Sequence, residues 1–60
     1  MQDEQPSLEK TMASGEVMTL ASAPYVGCWD VDQWDTDGNN RWHRQYRDYI
    51  LAKAEFDRWN

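Results

Sequence analysis

Asp35-Thr36-Asp37-Gly38-Asn39-Asn40-Arg41-Trp42-His43-Arg44-Gln45-Tyr46 is the stretch on which the fold turns. Two readings compete for it. In one, Asp37-Gly38 is a tight hairpin turn between Trp34 and Trp42, because Asp-Gly pairs favour the left-handed dihedrals such turns need. In the other, Asn39 or Asn40 caps a helix beginning at Arg41. Downstream periodicity favours the helix. At about 100° per residue, Phe56, Tyr49, Trp42, Lys53, Tyr46 and Ile50 fill one contiguous sector. Neither Gly nor Pro interrupts residues 41–59, and Ala52, Lys53, Ala54 and Glu55 are good helix formers. The stem of Lys53 can lie along the rings while its ammonium reaches water.

Working outward, Trp29-Asp30-Val31-Asp32 alternates apolar and acidic residues, so residues 25–34 read as extended. Pro24 opposes a helix entering that segment. The first 24 residues contain no aromatic side chain. Asp3, Glu4, Glu9 and Glu16 outnumber Lys10 there. Ser7 to Met12 reads at most as a short helix, stopped by Gly15. The expected architecture is a mainly α miniprotein. It has a flexible acidic N-terminal arm, residues 1–24, and an aromatic-rich binding module, residues 25–60. The module comprises an extended Trp-bearing segment, an Asp-rich turn and one long C-terminal amphipathic helix over 41–59.

Composition narrows the function. Sixty residues make one small domain at most. The lone Cys28 cannot form an internal disulfide, and with His43 as the single histidine there is no zinc quartet. A net charge of −5 disfavours direct binding to nucleic acid. The longest uncharged run, Val17 to Trp29, is 13 residues and contains Pro24 and Gly27, too short for a membrane span. The acidic N-terminus lacks the basic start of a signal peptide. A cytoplasmic, membrane-free protein is the expectation.

The rings point to partners. Trp and Tyr dominate interface hot spots, and a single five-turn helix cannot cover its own aromatic stripe. Trp29, Trp34, Trp42, Tyr46, Tyr49, Phe56 and Trp59 are therefore the candidate partner-binding residues. Arg41, Arg44 and Arg47 form a charged rim with Asp35 and Asp37. On a helix these arginines would oppose the macrodipole, so pairing with Asp30, Asp32, Asp35 or Asp37 is expected.

Other chemistries fit less well. Asp35, Asp37 and Gly38 align with part of a calcium loop. Gln33 and Arg44 then stand where its first Asp and its bidentate Glu belong. The four aspartates also suggest mimicry of a phosphate line. A Cys28–His43 pair lacks an orienting third group and a substrate cavity. Neither cofactor nor resident metal is expected, and no enzymatic activity.

The residues thus point to a non-catalytic accessory subunit of a larger assembly, docking through an aromatic helix face, with self-association as another outcome. The alternatives are a small acidic inhibitor of a host enzyme, acting as a nucleic-acid mimic, and a weak calcium-binding loop protein. Compact, acidic, Trp-rich composition resembles phage or mobile-element products in style, without a family motif. That resemblance implies a viral protein, cytoplasmic or virion-associated.

Overall fold

The computed structural model describes residues 7–22 and 27–60. The chain forms a four-stranded antiparallel meander followed by one helix. The elements are β1 (Leu8–Thr11), β2 (Val17–Ser22), β3 (Trp29–Trp34), β4 (Asn40–Tyr46) and α1 (Tyr49–Arg58). Strand order follows the chain, β1-β2-β3-β4.

This overturns the mainly α architecture. The segment taken for a flexible arm supplies β1 and β2, so Ser7 to Met12 is not helical. The long helix over 41–59 is two elements, strand β4 and the ten-residue α1. The physical reason lies in the spacing. Trp42 and Tyr46 are four apart, which places them on one face of a helix and equally on one face of a strand. The chain then reverses character at Arg47-Asp48. Asp48 is the N-cap, in extended conformation at φ −114° and ψ 122°, and its Oδ1 accepts the Ile50 amide at 2.8 Å. Parts of the presumed arm and extended segment, residues 1–6 and 23–26, lie outside the described residues.

Two hairpins of the same design set the register. In the first, the Met12 amide donates to the Glu16 carbonyl at 2.7 Å, and the Gly15 amide to the Met12 carbonyl at 2.9 Å. In the second, Asp35 donates to Asn39 at 2.9 Å and Gly38 to Asp35 at 3.0 Å. Each loop ends in a left-handed glycine, Gly15 at φ 95° and Gly38 at φ 89°. This is the three-residue hairpin loop that closes on a glycine bulge. The Asp-rich turn is thus a hairpin loop, and Asp35 organises it by accepting the amides of Asp37 and Asn39 at 2.9 and 2.8 Å.

Register sorts the side chains into two faces. On the inner face Lys10, Met18, Gln33 and Trp42 form one row, and Leu8, Leu20, Val31 and Arg44 the next. Trp29 and Tyr46 lie beside them. Met18, Leu20 and Val31 are fully buried, and Ala52 and Phe56 of α1 close over them with Met12. Full burial of each large side chain stabilises the fold by about 1.5–3 kcal/mol.

Aromatic pairs hold both ends of α1. Trp29 meets Tyr49 edge-on with centroids 4.9 Å apart, and Trp42 meets Trp59 at 5.1 Å. From β1, the Lys10 ammonium lies 4.8 Å from the Phe56 ring centroid and donates to the Trp59 carbonyl. A cation at the carbonyl end of α1 suits the helix dipole.

Replacing Leu20 with Ala should therefore cost about 2–5 kcal/mol in urea unfolding. Gly38→Ala should cost about 1–2 kcal/mol from its left-handed backbone, since nothing lies within 4 Å of the added Cβ. An unchanged midpoint for the Leu20 variant would contradict its central place.

Candidate functional site

Helix α1 packs on the inner face only, so the outer face of the sheet carries no other element among the described residues. Three rows cross it. Thr11, Val17, Trp34 and Asn40 form the row nearest the hairpin loops. Glu9, Thr19, Asp32 and His43 form the middle row, and Ala21, Asp30 and Gln45 the third. The alternation of β3 that turns Trp29 and Val31 inward necessarily turns Asp30 and Asp32 outward.

Trp34 is fixed on this face. Its indole Nε1 donates to Thr19 Oγ1 at 3.0 Å, across to β2. The bond ties the half-buried ring to β2 beside Asp32, the cross-strand partner of Thr19. A bulge follows: Gln33 pairs with Trp42 and Trp34 with Asn40, leaving Arg41 as the extra residue on β4.

The charged groups converge at the centre. His43 Nδ1 hydrogen-bonds Asp32 Oδ1, its direct cross-strand partner. Its Nε2 lies 4.0 Å from Asp30 Oδ1. That Asp30 oxygen is buried and has no hydrogen-bond partner among the described residues. The hydrogen bond to Asp32 raises the His43 pKa above the ordinary histidine value. The charges of Asp32 and Asp30 add to the rise, and desolvation opposes it. Both carboxylates are only 19% exposed, whereas His43 is 47% exposed. Two shielded anions thus share one accessible imidazole.

The rings proposed as partner-binding do not lie on one surface. Phe56 is buried, and Trp29, Trp42, Tyr46, Tyr49 and Trp59 pack half-buried against the chain's own core. Trp34 alone of the set lies on the outer face of the sheet. Ile50, counted in the helical stripe, is 73% exposed, and its neighbour Leu51 is 58% exposed.

The arginines separate as well. Arg41 Nη1 reaches Asp35 Oδ2 at 3.6 Å. Arg44 lies on the inner-face row with Val31. Neither Arg44 nor Arg47 meets an aspartate within 4.0 Å among the described residues. Asp35 is held below the usual carboxylate range, chiefly by the Asn39 amide. Asp37 is exposed at the loop tip.

Among the described residues, no group of three His, Cys, Asp or Glu side chains is arranged to hold a metal ion. His43 stands opposite Asp32 in the middle of β3, whereas Cys28 precedes the first residue of that strand. No helix among the described residues is long and apolar enough to cross a membrane. Comparison with known proteins finds no matching family model, curated protein or solved structure.

The His43 contacts generate a pH dependence of stability. Its folded pKa lies above 6.5. The stabilisation is therefore complete below 6.5 and is lost as pH rises through the folded value. Thermal melts across pH 5.5–9 (about the window that titrates a raised histidine) should show stability falling on the alkaline side. His43→Gln should remove that slope; a slope that survives would contradict the assignment.

Proposed function

We propose that this chain is a non-catalytic protein-binding module, an accessory piece of a larger assembly, that docks through the outer face of its sheet. The observation that carries the reading is one-sided coverage among the described residues: α1 spans the inner face, while Trp34 and its polar rows stand outside it. A tryptophan held by a hydrogen bond offers large contact area at low entropic cost. This replaces docking through an aromatic helix face, because most of those rings serve the core.

Size limits the mode of docking. Four strands about 4.8 Å apart and about five residues long present roughly 300 Å² in plan. A standard interface takes about 800 Å² from each partner. A stable complex therefore extends beyond the face, onto the hairpin loops or the β4 edge. There Arg41 and the unpaired backbone groups of an edge strand lie next to the site. A small acidic inhibitor would use the same carboxylate-bearing surface; it differs in that binding lowers the activity of its target.

Capture experiments with the full chain should discriminate surfaces. Trp34→Ala should lose at least about tenfold in affinity for the native partner, a hot-spot effect. The variant Ile50→Ser with Leu51→Ser should retain binding. Circular dichroism checks that both variants remain folded. If the helix variant loses the partner and the Trp34 variant keeps it, the outer-face reading fails.

A further inference from the structure

The two carboxylates beneath His43 raise a question that one-sided coverage alone does not answer. They lie in neighbouring rows, Asp32 with His43 and Asp30 with Gln45. The Trp34 ring is tethered beside them, through the Thr19 hydroxyl that belongs to the row of Asp32. One oxygen, Asp30 Oδ1, is withdrawn from water without a donor among the described residues. Leaving such an acceptor unsatisfied is costly. A guanidinium or ammonium group is the complement of this arrangement. It donates several hydrogen bonds, carries the opposite charge, and stacks on an aromatic face.

We propose that Asp30, Asp32 and Trp34 form the receiving site for one arginine or lysine side chain of the docked partner, and that His43 is a built-in occupant which that side chain displaces. The inference rests on the outer-face docking reading and deepens it by naming what the face recognises. Charge favours this occupant over others. The chain carries −5 overall, and its outer rows add Glu9 to the two aspartates. A second copy would set acidic face against acidic face. Nucleic acid would set phosphates against the same carboxylates. A basic protein segment meets neither obstacle.

Competition with His43 gives the site a recognisable pH signature. From β3, Asp30 and Asp32 face the imidazole; on β4 its outer-face neighbours are Arg41 and Gln45, and α1 lies behind the sheet. Protonated His43 leaves the trio with a net charge of −1; neutral His43 leaves −2. Binding of a cation therefore strengthens as pH rises, while fold stability falls. Opposite trends from one group separate competition from general loosening of the sheet. A merely structural histidine would shift binding and stability in the same direction.

The test uses the full chain, isotopically labelled, and three nine-residue Gly/Ser peptides whose central residue is arginine, lysine or citrulline. The arginine and lysine peptides should shift the Asp30 and Asp32 side-chain carboxyl signals and the Trp34 indole signal. Citrulline, neutral and nearly isosteric with arginine, should not. The arginine peptide should bind at least about threefold more tightly at pH 8.5 than at pH 5.5, because the competing imidazolium loses its proton as pH rises. His43→Gln should abolish this ratio, and Asp30→Asn with Asp32→Asn should abolish binding while the variant remains folded. Equal response to citrulline, or no response of the carboxyl signals at millimolar peptide, would overturn the proposal. Binding of a single-stranded DNA oligonucleotide on this face would overturn it as well. The docking reading has a separate readout. If Trp34→Ala abolishes capture of the native partner while the double Asn variant retains it at every pH, docking stands and the cation site falls.

Discussion

A chain of this size has apolar material for one interface, and the contact of α1 with the inner face of the sheet uses it. Met18, Leu20 and Val31 lose all solvent contact there, with Ala52 and Phe56 above them. Everything else follows from that single layer. Because side chains alternate across a strand, committing one face of β3 to the core commits Asp30, Asp32 and Trp34 to the other. The polar outer face is thus a geometric consequence of the core.

The short helix stays in place through contacts at both of its ends. A ten-residue helix is marginal in isolation, so tertiary contacts must hold it. Trp29 seats Tyr49 near the first turn, and Trp42 with Lys10 seats Trp59 at the last. Glu55 accepts from Arg58 at 2.8 Å and from Trp59 Nε1 at 3.0 Å, which ties the terminal ring to the helix. The Arg58 contact is the main cause of the lowered Glu55 pKa. Such exposed pairs contribute little energy; here they orient a ring that the core needs. The tryptophans that looked surplus on a lone helix are the clamps of a two-layer fold.

Only β3, the turn after it and the C-terminal half of the helix were legible, and the failures have physical causes. The extended character of Trp29 to Trp34 and the turn at Asp35 to Asn40 were readable from alternation and turn chemistry. The β4 strand was hidden because Trp42 and Tyr46, four apart, satisfy both periodicities. Two local signals spoke against a helix from Arg41. Asp48 is a helix-capping residue type that would fall inside a helix over 41–59, and Asp37-Gly38 is a hairpin pair. The macrodipole cost of three arginines in early helical turns was a third. In the structure it vanishes, because α1 begins at Tyr49 and its basic residue, Arg58, lies in the last turn where the dipole favours it. Strands β1 and β2 were missed because Thr, Ser, Gly and Met between charges resemble a solvated arm until a partner strand is supplied. The carboxylates of the site were visible as an acidic run. Their convergence on His43 depended on the β3–β4 register, which follows from the Asp35–Asn39 hairpin loop only once the helix from Arg41 is set aside.

The most direct measurement is a nuclear Overhauser map of residues 29–58 in the intact chain. Close contacts between Val31 and Arg44, and between Gln33 and Trp42, are required by the antiparallel β3–β4 register. Beyond the Asp35–Asn39 hairpin loop, a continuous run of strong sequential amide–amide contacts should begin only at Tyr49. An unbroken run of them from Arg41 to Arg58, without the cross-strand contacts, would replace β4 by helix. The outer-face cluster of Asp30, Asp32 and His43 would then be dismantled, and with it the docking account.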